Sequence, residues 1–335
     1  LLVTREYQSL ARAREAIGTR LDRGSTASLF DRIDWLESLH DHCFDGVPVR
    51  ILRAMEDEAE AWLFLLAPDQ RRLSALANWY SFEWGPIFFG SPDALTRRRL
   101  VEVLAQNLLK DGAQVDLYPV TEDAALLIDA FRRAGWFGLK RPMGGRYLLR
   151  PNGRSFAEYW AARPGRLRNL VQRKARASRF TLSIGRELTD ALWRDYAAVH
   201  ARSWKQPEPN LNFLRTLAQR EGAAGTLRLG FVRLEDQPVA AQFWTVENGV
   251  ALIHKLAHDQ AFDGASPGTL LSHAMFADAI DGDRVALIDY GTGDNGYKSD
   301  WMEERTTLHR LDFFNPRFAS TWLPAARTAI SALVG

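Results

Sequence analysis

Cysteine is nearly absent: Cys43 is the only one in 335 residues. An intramolecular disulfide is therefore excluded, and a reducing cytoplasm is the expected setting, with the inner face of a membrane as a peripheral variant. Neither charge sign dominates. Forty-three Lys and Arg against 41 Asp and Glu leave a net charge of +2, too small by itself to argue for nucleic acid. Apolar runs of the roughly 20 residues that a bilayer-spanning helix needs are missing, and the N-terminus lacks the pattern of a secretory signal. A composition 46% apolar and 25% charged excludes extensive disorder. Tryptophan is what the chain has in quantity, with 11 residues, and aromatics line grooves as well as cores.

The length favours two domains, with the limit placed near residue 150: 1–150, with a helical lead-in, and 151–335. Residues 1–27 read as a polar lead-in with a helix over 7–17. Strand-like runs follow at 47–55, 59–66 and 73–79. The periodicity then predicts a helix over 93–110, a strand over 115–120 and a helix over 122–134. Residues 136–150 read as one or two strands, with Pro142-Met143-Gly144-Gly145 as a turn. In the second half a strand at 180–185 precedes helices at 188–204 and 211–220. Strands at 227–234, 239–246 and 250–258 come next, joined by short turns such as Glu247-Asn248-Gly249.

The chain is organised around 250–301. The alternating run Val250–His258 fits a strand, Ser266-Pro267-Gly268-Thr269 opens a helix that continues through Leu270 and Met275, and Val285–Tyr290 fits a second strand. This βαβ unit presents backbone amides at a helix N-terminus, where orphan N–H groups and the helix dipole favour an anion such as pyrophosphate. Elsewhere, His40-Asp41-His42-Cys43 crowds potential ligands, but the helical spacing and the lack of a second cluster favour a solvated helix end, so no metal is expected. Residues 78–90, with Trp79, Tyr80 and Trp84, read either as a loop packed on the core or as the wall of an apolar or membrane-facing pocket. Arg163, Arg166, Arg168, Arg173, Lys174, Arg176 and Arg179 fall in a segment without acids. It reads as a solvated helix face or as a contact for phosphate groups or anionic lipid. Without interleaved aromatics it argues against RNA.

The element order, together with His254-Lys255-Leu256-Ala257-His258-Asp259, Ser266-Pro267-Gly268-Thr269-Leu270-Leu271, Asp289-Tyr290-Gly291-Thr292-Gly293-Asp294 and Tyr297-Lys298-x-x-Trp301, resembles the GNAT acyltransferases. The likeness is to the CelD-like branch, which is related to the FemAB-like tandem-GNAT proteins. Arg202-Ser203-Trp204-Lys205 fits the same pattern. The likeness covers about 155–315, and the first half shares only the layout. It implies an α/β (α+β) fold of tandem GNAT-like domains, with mixed central sheets flanked by helices. The implied activity is N-acyl transfer from acyl-CoA to an amine acceptor, without a metal. Some CelD-like proteins are bacterial ceramide synthases, which makes a long-chain donor and a sphingoid base the specific expectation. Alternatives are acetylation of a sugar amine or polysaccharide precursor, a FemAB-like transfer from aminoacyl-tRNA, or a non-catalytic binding module. Nucleic acid is not expected as a partner, whereas peripheral lipid contact is.

Acyl transfer needs a base, oxyanion donors and an acid for the leaving thiolate. His254, mid-strand among apolar residues, reads as the base or as a satisfied core histidine. Strand alternation puts it on one face with His258. Asp289 reads as an orienting carboxylate or as a local cap of the Gly-containing turn. Tyr297 is a candidate acid, and Lys298 a phosphate contact. Ser266, Pro267, Gly268, Thr269 and Leu270 stand where the pyrophosphate loop would be, although Pro267 lacks an amide. Trp79, Tyr80, Trp84, Trp204, His258 and Trp301 are candidate substrate contacts.

Overall fold

The computed structural model describes residues 2–334. The outermost positions of the expected domains, Leu1 and Gly335, lie outside the described residues. The chain forms two compact units, 1–144 with 307–335, and 145–306.

In the first unit, β1 (Leu2–Tyr7) is followed by α1 (Leu10–Ile17), α2 (Ile33–Cys43), and the strands β2 (Val49–Glu56), β3 (Ala59–Leu66), β4 (Arg72–Ala75) and β5 (Ile87–Phe89). Next come α3 (Ala94–Leu108), β6 (Gln114–Val120), α4 (Ala124–Ala134) and the start of β7 (Phe137–Leu149). Strands β1 to β4 pair antiparallel in sequence order, and β5 adds to β3. Helix α3 then carries the chain across to β6, which lies parallel to β4. The lead-in is thus a strand before it is a helix, a correction to the sequence reading. Leu2 and Val3 are exposed, so the segment carries no apolar alternation, and its hydrogen bonds to β2 hold it. A further correction concerns Pro142–Gly145, which continues β7 rather than turning.

The second unit contains the remainder of β7, then α5 (Phe156–Ala161), α6 (Gly165–Ala177), β8 (Phe180–Gly185), α7 (Asp190–Ala201), α8 (Leu211–Ala223), β9 (Leu227–Leu234), β10 (Gln237–Glu247) and β11 (Val250–His258). It closes with α9 (Pro267–Ala277), β12 (Leu287–Thr292), α10 (Lys298–Trp301) and the first residues of β13 (Glu304–Phe314). The rest of β13 pairs antiparallel with β6 in the first unit, ahead of α11 (Trp322–Val334). Here β8 to β11 form an antiparallel meander, α9 crosses to β12 parallel to β11, and β7 lies antiparallel on β12. Each unit therefore has a mixed sheet flanked by helices. Among the described residues no helix is long and apolar enough to cross a membrane.

Local signals explain the helices around the site. Ser155 and Glu158 form a capping box on α5, and Thr189 caps α7 by accepting from the Leu192 amide. Helix α9 starts with Pro267 at its first position, where the missing N–H costs nothing, after Ser266 at φ 54°. It is apolar nearly all round and packs Leu271, Met275 and Phe276 into a core with Val232, Trp244, Ile253 and Ile288. Gly230 on β9 is where the helix comes close. A Cβ there would stand 2.5 Å from Met275 Sδ and 3.0 Å from Leu271 Cδ1. Gly230→Val is accordingly expected to push α9 off the sheet and to cost about 1–3 kcal/mol, read from urea unfolding midpoints.

Candidate active site

Strands β11 and β12 pair in parallel through Val250–Leu287, Ala251–Ile288 and Leu252–Asp289, where the register ends. Both strands run on, β11 to His258 and β12 to Thr292, which leaves their later backbone groups facing a wedge. A β-bulge lies just past the parting point. Between Trp244–Ile253 and Phe243–Lys255, β10 advances one residue and β11 two, so His254 is the extra one. Bulges kink and twist a strand, and they re-aim side chains.

The re-aiming corrects the expected shared face of His254 and His258. His254 Nε2 lies 2.8 Å from Thr245 Oγ1, and its ring packs on Phe243, on the side of α7. His258 emerges on the α9 side, 2.7 Å from Asp263 Oδ1, its ring tilted against that of Trp204. Burial pulls the His254 imidazole down to about 4, against a partial lift from Glu221. It is neutral at pH 7 but a feeble proton acceptor, which favours its structural reading.

His258 helps enclose a cleft of about 340 Å³ with Trp204, Asp263, Ser266, Gly268 and Thr269. Part of the expected cofactor loop is thus brought together at the N-terminus of α9. Pro267 and Leu270 are instead buried in the packing. The amides of Thr269 and Leu270 donate to the Ser266 carbonyl, and Pro267 has none, so Gly268 offers the first-turn N–H that faces outward. Gly268 is also a close approach, since a Cβ there would stand 3.1 Å from His258 Nδ1.

Asp289 is fully buried. Its carboxylate accepts from Arg146 Nε at 2.8 Å and from the Gly291 amide at 2.9 Å. This is the capping geometry of its local reading, reinforced by an ion pair. Lys298 is buried as well, and its ammonium donates to the carbonyls of Tyr290 (3.1 Å) and Thr292 (2.7 Å). Burial lowers it to about 8, opposed by Asp289 and Asp294. Tyr297 stands at the start of α10, its ring edge-on to Tyr290, and partial burial raises its hydroxyl so that it stays a proton donor. Trp301 packs between Trp160 and Phe276, a core position. Trp79, Tyr80 and Trp84 belong to the first unit. Tyr80 and Trp84 are buried there, with the Trp84 indole donating to the Phe64 carbonyl, and Trp79 is 55% exposed. His40 and His42 in α2 each hydrogen-bond a backbone carbonyl.

Sequence reasoning missed a group on the α7 side of the wedge. Glu208, in the loop from α7 to α8, takes Lys255 Nζ at 2.7 Å and lies 4.0 Å from His200 Nε2. Burial lowers the His200 imidazole, with Glu208 opposing. Tyr196 adds a buried hydroxyl without a hydrogen-bond partner. The available signal was the His254-Lys255 doublet. Two polar residues in succession break strand alternation, and a bulge is what turns both to one side.

Residues 161–299 match the family described as an acetyltransferase (GNAT) domain. The second unit carries a GNAT-fold domain. No curated protein matches the sequence. Among solved structures the chain is similar to FemX (10% identity, 95% of this chain and 99% of that one, TM-score 0.62). It is similar also to a tandem GNAT protein from the clavulanic acid biosynthesis pathway (11%, 92% and 98%, 0.54). A third is the C-terminal domain of a putative lysylphosphatidylglycerol synthetase from Agrobacterium fabrum (12%, 90% and 96%, 0.52). At such identities the likeness is one of fold. The expected fold class, α/β with GNAT-like mixed sheets flanked by helices, is what these structures share with the chain.

Two measurements separate structural from chemical roles in the GNAT domain. His254 binds its proton less readily folded than unfolded, so its share of stability is present above pH 6.5 and is lost as pH falls toward 4. Between those limits His254→Gln should flatten the fall in unfolding free energy by up to about 3 kcal/mol. Asp289→Ala leaves Arg146 buried without its carboxylate, and should cost about 3–5 kcal/mol in unfolding free energy. Asp289→Ala with unchanged stability would remove the ion pair from its supporting role.

Proposed function

We propose that the protein is an N-acyltransferase, with an acyl thioester lying in the wedge between β11 and β12 and the amine arriving from the α7 side. The observation that carries this reading is the parting of a parallel strand pair directly beside a helix N-terminus that opens on a cleft. The strand edges offer a narrow seat for a pantetheine-like arm, and the Gly268 amide with the α9 dipole offers partial positive charge to a phosphate. In the reaction the amine nitrogen attacks the thioester carbonyl carbon, the C–S bond breaks, the amine loses a proton and the thiolate gains one. His200 beside Glu208 is the better placed proton acceptor, because its imidazole is neutral at pH 7 and faces a carboxylate. Tyr297 is the proposed donor to the thiolate. The tandem arrangement, with the chemistry in the second unit, is part of the same reading.

The narrower expectation, a long-chain donor and a sphingoid-base acceptor, stands as one arm of the test. Titration calorimetry with acetyl-CoA and palmitoyl-CoA should show binding of at least one, weakened about tenfold or more by Gly268→Val, which fills the cleft. Preference for palmitoyl-CoA supports the lipid version, and preference for acetyl-CoA a small polar acceptor. Binding of neither overturns the reading.

A second reading rests on α6, where Arg166, Arg168, Arg173 and Arg176 are exposed. Three of them, Arg166, Arg173 and Arg176, border an open groove of about 800 Å³. An aminoacyl-tRNA donor would use such a face. Binding of tRNA that falls steeply with salt, lost in an Arg173→Gln/Arg176→Gln double variant, would replace acyl-CoA by this donor.

A further inference from the structure

The cleft at the N-terminus of α9 has one aromatic wall, Trp204, which the acyl-transfer reading leaves without a task. Trp204 is 48% exposed, yet the segment that carries it is tied down. The Arg202 guanidinium donates to Asp259 at 2.6 Å and to the Pro238 carbonyl at 2.8 Å, and the Arg202 carbonyl accepts from the Gln260 amide at 3.2 Å. The buried Ser203 donates its hydroxyl to the His200 carbonyl at 2.8 Å and accepts from the Lys205 amide at 3.3 Å. The indole itself leans on His258, with centroids 4.5 Å apart and planes at 49°, and Asp263 holds that imidazole.

A lone exposed tryptophan needs no explanation; one pinned at the wall of a ligand cleft does. Trp84, Trp136 and Trp244 are buried, and each donates its indole N–H to a protein acceptor. Among the described residues the Trp204 N–H has no such acceptor. A fixed, half-wet ring is what a flat heteroaromatic group stacks on, with little ordering left to be done on binding. The Lys205 ammonium lies 5.7 Å from the ring centre, near the outer limit of a cation–π contact and on a flexible stem that a base can displace. Gly268 lines the same cleft of about 340 Å³. A base on the indole and a phosphate on the Gly268 amide therefore fall within the span of one nucleotide.

We infer that Trp204 is a stacking plate for the base of a nucleotide, so that the thioester donor is recognised as a free nucleotide conjugate and not as an arm borne on a carrier protein. The inference rests on the acyl-transfer reading and deepens it. The arm lies in the wedge, a phosphate meets the Gly268 amide, and the base closes the far end on Trp204. A phosphopantetheine arm attached to a protein carries the first two groups and lacks the third, which leaves the indole unmatched.

The test is titration calorimetry of the intact protein with coenzyme A and with adenosine 3′,5′-bisphosphate, which keeps the nucleotide and lacks the arm. Trp204→Leu, apolar but without a ring, is expected to weaken both ligands about tenfold or more, and Trp204→Phe, which keeps a ring, to retain most of the affinity. Retention by Trp204→Leu equal to that of Trp204→Phe makes the residue a mere apolar wall and overturns the plate. Loss of coenzyme A affinity in Trp204→Leu with the bisphosphate unaffected places the arm, not the base, on the indole, which also overturns it. If coenzyme A does not bind the parent protein, the acyl-transfer reading fails on its own. The bisphosphate then decides for the plate alone: binding that Trp204→Leu weakens and Trp204→Phe keeps supports it, and no binding overturns it.

Discussion

The second unit depends on one constraint: two parallel strands that pair for three residues and then separate. Separation in a sheet exposes backbone N–H and C=O groups, which are costly to leave unmet in a dry interior. The surroundings meet part of this demand. Arg146 and the Gly291 amide hold Asp289 at the last paired position, and Lys298 ties the carbonyls of Tyr290 and Thr292. These contacts fix the β12 side of the wedge. On the β11 side, the bulge at His254 turns the strand and is anchored through Thr245. The opening is thus held from both sides by polar contacts that are themselves satisfied, and this keeps it from closing into a regular sheet.

The same geometry divides the charges. On the α9 side stand a helix N-terminus, His258 and Asp263. On the α7 side stand Lys255, Glu208 and His200. Lys255 and His258 stand three positions apart and so face opposite ways, and the bulge at His254 sets which of the two faces α7. A single added residue in β11 therefore decides which face receives the cations.

Much of the frame was legible. The β11 limits, Val250–His258, follow from alternation and the Asn248-Gly249 turn, and Leu227–Leu234 from its apolar run. The GNAT-like order of elements was readable because hairpins and a crossover helix leave distinct periodicities. The site was less so. Nothing local in Asp289 or Arg146 reveals a pair separated by 143 positions. Alternation placed His254 and His258 together because it assumes an unbroken period of two, which a bulge cancels. The Trp79–Trp84 stretch shows the converse limit: an aromatic run has the same composition whether it packs a core or lines a groove, and only burial separates the two.

Among the titrating groups, neither burial nor residue type alone separates a chemical role from a structural one. His254 and His200 are both imidazoles lowered by burial. The hydrogen bond to Thr245 holds His254 in the packing behind the bulge, whereas His200 looks onto the Glu208 carboxylate. Desolvation is the largest penalty on a proton at either ring; Glu208 opposes it at His200, where Lys205 and Lys255 add to it, and Glu221 opposes it at His254. In a transfer whose acceptor must shed a proton as it attacks, the neutral imidazole next to a carboxylate stabilises the developing positive charge. In the proposed reaction the base is accordingly assigned to the end of α7 and not to the centre of β11.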